Sequence, residues 1–326
     1  MYSIYFDTGT TNTRAYLLKD YKVILSKSRH VGARNTSMER SHSILRDTLV
    51  SLFEELLVDR GLYPQQIDHA CISGMATSGD GIQTVPHLAV PVSKVDIQKS
   101  LVLLKNPIFP IRTWLVPGVK TDSSNGVATP EEATRIQQIR GEEVEVFGVI
   151  EGNSSLNDCT VILTGSHTQI VFVKDRKIVD IFSNMSGELR EAIIKNTILG
   201  GALSEGIDGS FNEEMVLLGS HQCEKYGINH ALYGVRTMEV YSNATSIDKH
   251  SYFQGVLTSG VVHGLLQRMK ENMNSARRIF VVGRKTEFDT YRLIFNDIDK
   301  DFIIHYLESD IVPYSVRGYT ALMNCR

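Results

Sequence analysis

Two short apolar runs of strand length, Ser3 to Phe6 and Thr160 to Leu163, each break into a polar turn that begins threonine, glycine, hydroxyl residue. The first turn opens the segment TGTTNTRAYLLKDYKVI, Thr8 to Ile24, and the second opens TGSHTQIVFVKDRKIV, Thr164 to Val179. With one gap the two read in parallel: small polar residues, an apolar run, a Lys-Asp-x-Lys turn and a second apolar run. The pattern predicts strand, glycine turn, strand, tight turn, strand, twice in one chain.

Elsewhere the apolar period lengthens to that of helices. Leu45, Leu49, Leu52 and Leu56 share one face of a helix expected to start near Ser41. Thr129-Pro130-Glu131-Glu132 is a helix start, with a hydroxyl cap, proline at the first position and a glutamate completing a capping box. Met185 to Asn196, Glu213 to Cys223 and His250 to Lys270 also read as helices. Arg278 to Val282 is a buried strand ending at Gly283, with a helix from about Thr286. Strands and helices mix in both halves, so the fold class is α/β. The expected domains are 1–157, with the first turn, and 158–326, with the second, divided in the polar stretch EGNSSLND from Glu151 to Asp158. The last helix, 314–326, is free to pack back on the N-terminal domain.

A chain of 326 residues, 42% hydrophobic and 22% charged, has apolar material for two cores. A net charge of -3 gives no electrostatic footprint for nucleic acid and no basic run for a membrane surface. Cys71, Cys159, Cys223 and Cys325 have no neighbours at metal-ligand spacing and read as thiols in a reducing compartment. MYSIYFDTG reaches an acid at Asp7, unlike a signal peptide, and a cytoplasmic location is expected.

Glycine lets a ligand approach the backbone, and successive N–H groups with threonine or serine hydroxyls can cradle phosphate oxygens. Two such turns, each opening an equivalent half, suggest two jaws on one polyphosphate.

DTGTTNTR at Asp7 to Arg14 resembles the first phosphate loop of the actin, Hsp70 and sugar-kinase superfamily. Within it the chain resembles the 2-dehydro-3-deoxygalactonokinase family along nearly its whole length. The landmarks are GMATSGDG at Gly74 to Gly81, VPG at Val116 to Gly118, RGEE at Arg140 to Glu143, TGSHTQIV at Thr164 to Val171, MSGEL at Met185 to Leu189, LYGVRT at Leu232 to Thr237, GVLTSGVVHG at Gly255 to Gly264 and VVGRKTEFDTY at Val281 to Tyr291. The resemblance implies two RNase-H-like (actin-like ATPase) domains with an interdomain active-site cleft. It implies phosphoryl transfer from ATP, with Mg²⁺, to a hydroxyl of a 2-keto-3-deoxy sugar acid. The chain departs from the family pattern at Thr8, Gln169 and Ile170, and in the Thr77-Ser78-Gly79-Asp80 segment.

Phosphoryl transfer needs charge neutralisation, in-line positioning and a route for the acceptor proton. Asp7, at the end of a strand, suits water-mediated Mg²⁺ holding; its other reading is a turn cap. Gly9, Thr10, Thr11 and Asn12 form the first jaw, and Gly165, Ser166, His167 and Thr168 the second. Gly283 follows a buried strand and is read as letting the adenine ring approach, or as a helix-entry glycine. The resemblance brings Glu142 and Glu143 to the cleft, just after a predicted helix and Gly141; adjacent helical residues cannot aim the same way, and Glu142 is the expected catalytic carboxylate. Arg140 and Arg236 are candidates for a substrate carboxylate, and Glu188, Thr77 and Ser78 for substrate hydroxyls; structural salt bridges and caps are the competing readings. Two other functions stand against a kinase: an exopolyphosphatase-like hydrolase, against which Gly283 argues, and a non-catalytic nucleotide or sugar-acid sensor, against which Asp7 and Glu142 argue. A homo-oligomer is left open.

Overall fold

The computed structural model describes residues 1–32, 43–122, 127–153, 156–203, 209–271, 276–308 and 312–324. The helix start expected near Ser41, part of the 151–158 loop, and Cys325 lie outside them. The strands in chain order are β1 (Tyr2–Thr8), β2 (Thr13–Lys19), β3 (Lys22–Arg29), β4 (Ile67–Gly74), β5 (Leu88–Ala89), β6 (Val102–Leu103), β7 (Thr113–Leu115), β8 (Val119–Lys120), β9 (Gln138–Ile139), β10 (Cys159–Leu163), β11 (Thr168–Lys174), β12 (Lys177–Asn184), β13 (Arg278–Val282) and β14 (Ile303–Leu307). The helices are α1 (Ser43–Arg60), α2 (Lys94–Lys99), α3 (Pro130–Ala133), α4 (Glu142–Glu151), α5 (Ser186–Asn196), α6 (Glu213–Tyr226), α7 (Ile228–Tyr241), α8 (Ser246–Glu271), α9 (Lys285–Ile298) and α10 (Tyr314–Met323).

Two large sheets repeat one topology. The first runs β3-β2-β1-β4-β7 with β6 as an antiparallel edge; the second runs β12-β11-β10-β13-β14. In the first, β1 pairs antiparallel with β2 and parallel with β4, which pairs parallel with β7. In the second, β10 and β13, then β13 and β14, are likewise parallel. This is the twofold α/β arrangement implied by the repeated segment. The resemblance extends to the tight turns: Asp20 and Tyr21 have φ of 48° and 61°, Asp175 and Arg176 have 50° and 58°. Positive φ at both central residues is the two-residue hairpin geometry that matches strand twist.

The chain separates into two compact units. One comprises Met1–Asn157, Val171–Ile181 and Ser309–Arg326; the other comprises Asp158–Ile170 and Phe182–Glu308. The division passes through β11 and β12. In the first unit, α1 lays Leu45, Leu49, Leu52, Phe53 and Leu56 into a core with Ile4, Phe6, Leu17 and Ile72. A small sheet, β5-β8-β9, leads into α4. Helices α4 and α10 cross at two glycines: a side chain at Gly148 would overlap the Tyr314 carbonyl, and one at Gly318 the Val144 carbonyl. In the second unit, α6, α7 and α8 enclose Val216, Val235, Tyr252, Phe253 and Val256.

Helix α3 has the Thr129–Glu132 capping box but is a single turn. Helix α8 starts at Ser246, earlier than its apolar stripe. Helix α7 was not expected; Gly227, at φ 81°, ends α6 and lets the chain start again in a new direction. The glutamate pair was expected after a helix, but instead opens one. Gly141, at φ 112°, follows β9 and stands as the N-cap of α4. Among the described residues, no helix is long and apolar enough to cross a membrane.

Candidate active site

In the first unit, three landmarks far apart in sequence meet at the ends of β1 and β4. The Thr8 hydroxyl donates to the Ser73 carbonyl at 2.6 Å and accepts from Ala76 N at 2.8 Å. A side chain on Gly74 (φ 83°) would overlap the Thr8 carbonyl, and one on Gly141 would come within 3.1 Å of Gly74 Cα. The turn after β1, the GMATSGDG segment and the start of α4 are thus held together through glycine contacts and a threonine hydroxyl. Thr8, a departure from the family pattern, is fully engaged in that junction.

The first turn closes with Gly9 N donating to Asn12 O at 2.8 Å, and Asn12 Oδ1 lies 2.9 Å from His30 Nδ1. Gly32 backs it, leaving no room for a side chain beside the Gly9 and Thr10 carbonyls. Thr10 and Thr11 are half-buried. Asp7, one residue before the end of β1, keeps an 18% exposed side chain. Burial raises its pKa, opposed by Arg14, whose Nη1 lies 3.5 Å away, and by a hydrogen bond from Ser315 on α10.

Helix α4 carries Glu142, Glu143 and Glu145 in its first turn, where a helix N-terminus favours negative charge. Glu142 is half-buried and Oε2 accepts from Arg140 N at 3.0 Å. Glu143 is completely buried; Oε2 accepts from Gly141 N at 2.7 Å, and Oε1 has no hydrogen-bond partner. Burial, reinforced by Glu142, lifts its pKa to about 8. Glu145, missed in the sequence, has its pKa lifted to about 8 by burial and by Asp7. Its spacing of three from Glu142 on a helix was the available signal.

Arg140 spends its guanidinium inside this unit. Nη1 donates to the Thr77 carbonyl at 2.8 Å and hydroxyl at 2.6 Å, and Nη2 donates to the Val85 carbonyl at 2.8 Å, beside His87. Burial and this cation push the His87 pKa down to about 4. Thr77 is fully buried, its hydroxyl also bonded to the Gly74 and Val116 carbonyls. Ser78 donates to the Met75 carbonyl at 2.7 Å. Arg140 and Thr77 therefore brace the GMATSGDG segment against the start of α4.

In the second unit the second turn is braced by the N-termini of α5 and α9. Glu188 N donates to Ser166 O at 2.8 Å, the Thr168 and Ser186 hydroxyls are 2.6 Å apart, and a side chain on Gly187 would overlap the Gly165 carbonyl. His167 Nε2 lies 3.6 Å from Glu188 Oε2. Thr164 donates to Glu287 Oε2 at 2.6 Å, and Arg284 holds the other carboxylate oxygen at 2.6 Å. Gly283 has Thr164 Oγ1 where a side chain would stand, a close approach within the unit that accounts for the glycine by itself. Gly165 differs: an added Cβ would meet only His167 O, at 3.5 Å. Nothing among the described residues demands glycine there, and its exposed face is open to a ligand.

Beside this turn is a small cavity of about 40 Å³ walled by Thr164, Gly165, Thr168, Arg190, Gln254 and Glu287, among others. A larger one, about 350 Å³, has Arg190, Phe211, His250, Phe253, Gln254 and Arg284 in its walls. Arg236 is on α7 and lines neither. Among the described residues no group of three or more histidine, cysteine or acidic side chains is placed to hold a metal ion.

A family model described as 2-keto-3-deoxy-galactonokinase matches residues 7–309. The chain belongs to this family. It is 23% identical over 202 residues to the 2-dehydro-3-deoxygalactonokinase of Escherichia coli strain K12, a match covering 61% of this chain and 59% of that relative. A Sinorhizobium meliloti protein solved as a candidate 2-dehydro-3-deoxygalactonokinase superposes with a TM-score of 0.76 at 18% identity, covering 99% of both chains. Acetate kinase from Entamoeba histolytica superposes with a TM-score of 0.51 at 8% identity, covering 99% of this chain and all of that one. At these identities the solved structures speak for the fold, and the family match speaks for membership of the 2-keto-3-deoxy-galactonokinase family.

Proposed function

We propose that this chain is an ATP-dependent kinase that phosphorylates a hydroxyl of 2-dehydro-3-deoxygalactonate. The observation that carries the reading is the family match, which spans both glycine turns, the acids of α4 and the walls of both cavities. Neither a hydrolase nor a sensor has a comparable observation in its favour.

The second unit is assigned to the nucleotide. A cavity of about 350 Å³ falls within the range of small-molecule sites, and the adjoining turn presents Gly165, Ser166, His167 and Thr168 to phosphates. The first unit is assigned to the acceptor and the metal. A single carboxylate with water and substrate phosphates is an adequate donor set for Mg²⁺, and Asp7 supplies one at the mouth of the first turn. Bound there, Mg²⁺ would neutralise charge on the transferring phosphate. Gly9, Thr10, Thr11 and Asn12 contribute phosphate donors.

Glu142 is assigned as the group that orients the acceptor hydroxyl and receives its proton. Glu143 is a poor base at neutral pH because burial keeps it protonated, whereas Glu142 is reachable and anchored through one oxygen to Arg140 N. Arg140 positions that helix start. Glu188 and Arg236 remain candidates for acceptor contacts.

The test is ADP release with Mg-ATP and a panel of 2-keto-3-deoxy sugar acids, other sugar acids and neutral hexoses. 2-Dehydro-3-deoxygalactonate should give the highest kcat/KM. Preference for neutral hexoses would overturn the acceptor, and phosphate release without an acceptor would favour a hydrolase.

A further inference from the structure

Arg190 is unusual among the cationic side chains of the second unit. The residue lines both cavities, yet among the described residues its buried Nε has no hydrogen-bond partner and no carboxylate lies within ion-pair distance. The acid that acts on it, Glu287, is already committed to Thr164 and Arg284. Burial, and after it the neighbouring positive charge of Arg284, oppose keeping Arg190 charged, and Glu287 offsets them only in part. A charged guanidinium in such surroundings is costly unless something completes it. Glu287 is the one acid in the described walls, against Arg190 and Arg284, so the lining has a positive charge left unmatched. A chain held this way fits an anion better than a neutral molecule.

Position narrows the choice. Arg190 and Gln254 are the residues shared by the roomy cavity, whose lining includes Phe211 and Phe253, and by the small one at Gly165 and Thr168, whose lining includes the Thr164, Thr168 and Ser186 hydroxyls. A molecule with an apolar, ring-bearing end in the first and a phosphate end at the second must pass Arg190. Arginine suits that crossing, because its planar fork can bind two phosphate oxygens at once. We propose that Arg190 receives the α- and β-phosphates of the nucleotide, linking the base-and-ribose cavity to the second glycine turn. This rests on the reading that the nucleotide occupies the second unit.

The test is calorimetric titration of ADP and of adenosine into wild type, Arg190→Gln and Arg190→Lys, with Mg²⁺ present and folding checked by circular dichroism. Wild type should bind ADP more tightly than adenosine. Loss of charge-assisted hydrogen bonds to phosphate should weaken ADP by about ten- to hundredfold in Arg190→Gln. Adenosine should change less than about twofold, and Arg190→Lys should recover part of the ADP affinity by restoring a point charge. A residue that merely shapes the cavity would weaken both ligands alike, and that result overturns the proposal. So does unchanged ADP affinity in folded Arg190→Gln, while leaving the nucleotide site itself standing. Wild type that binds neither ligand removes the nucleotide reading and the proposal together. If Arg190→Gln does not fold, Arg190→Lys decides: a loss confined to ADP supports the assignment, and wild-type affinity for both ligands refutes it.

Discussion

Replacing Glu143 by glutamine should remove a pH dependence from the stability of the first unit. Glu143 is fully buried, with one oxygen held by Gly141 N and the other without a partner, and its pKa is raised from 4.5 to about 8. The folded protein therefore binds a proton that the unfolded chain releases above its ordinary pKa. That contribution is fully present below about pH 4.5 and is lost as pH rises towards about 8. At about 1.4 kcal/mol per pH unit, the loss between pH 5 and pH 8 is on the order of 3–4 kcal/mol. Glu143→Gln keeps the shape and the neutral state, so it should match wild type near pH 5 to within about 1 kcal/mol. By pH 8 it should be the more stable of the two by a few kcal/mol. The measurement is urea denaturation followed by tryptophan fluorescence from pH 5 to 8. The chain has a single tryptophan, Trp114, and it lies in β7 of the same unit, so the signal reports the right part of the molecule. Glu145, whose pKa is also raised to about 8, is present in both proteins, and its contribution cancels in the difference. Parallel stability curves for wild type and variant would refute a protonated Glu143.

The two glycines of the second turn should separate binding from folding. Gly165→Ala, with only His167 O at 3.5 Å to meet, should keep wild-type stability and lose ATP affinity, whereas Gly187→Ala, which overlaps the Gly165 carbonyl, should cost about 1–3 kcal/mol in thermal unfolding; wild-type ATP affinity in Gly165→Ala would remove the turn from the nucleotide site. Glu142→Gln should lower kcat by about a hundredfold to ten-thousandfold with ATP affinity nearly intact. If Glu143→Gln is instead the crippled enzyme, the two assignments exchange. Asp7→Asn should raise the Mg²⁺ concentration needed for half-maximal rate, and an unchanged Mg²⁺ titration would leave Asp7 as a turn-capping carboxylate.

The repeated half was legible because its signals are local. A Thr-Gly-hydroxyl turn, an apolar run and a Lys-Asp-x-Lys hairpin lie within about 17 residues, and each residue type answers to its own backbone geometry. The division at Val171–Ile181 was not legible, since it cuts strands whose pattern does not change along their length. Helix α7 was hidden for a related reason. Gly227 reads as a helix end, but nothing nearby says that another helix starts in the next residue.

The candidate residues divide along the same line. Glu142 and Glu143 were found through the family resemblance and Glu145 was missed, and the unlike environments of the pair could not be read: they are neighbours in sequence, and one is half-buried while the other is completely enclosed. Arg140 was a candidate for a substrate carboxylate with a structural role as the competing reading, and its fork is filled by carbonyls and a hydroxyl from positions 77 and 85, contacts that span more than fifty residues. Arg190 is the converse. It stands one residue past the MSGEL landmark and looks like any helical arginine, and only its buried Nε, without a partner among the described residues, marks it out. Whether an arginine is structural or available is decided by how many of its donors the fold has already used. That count depends on contacts brought together by packing, so it is invisible to spacing and periodicity even where the motif carrying the residue is plain.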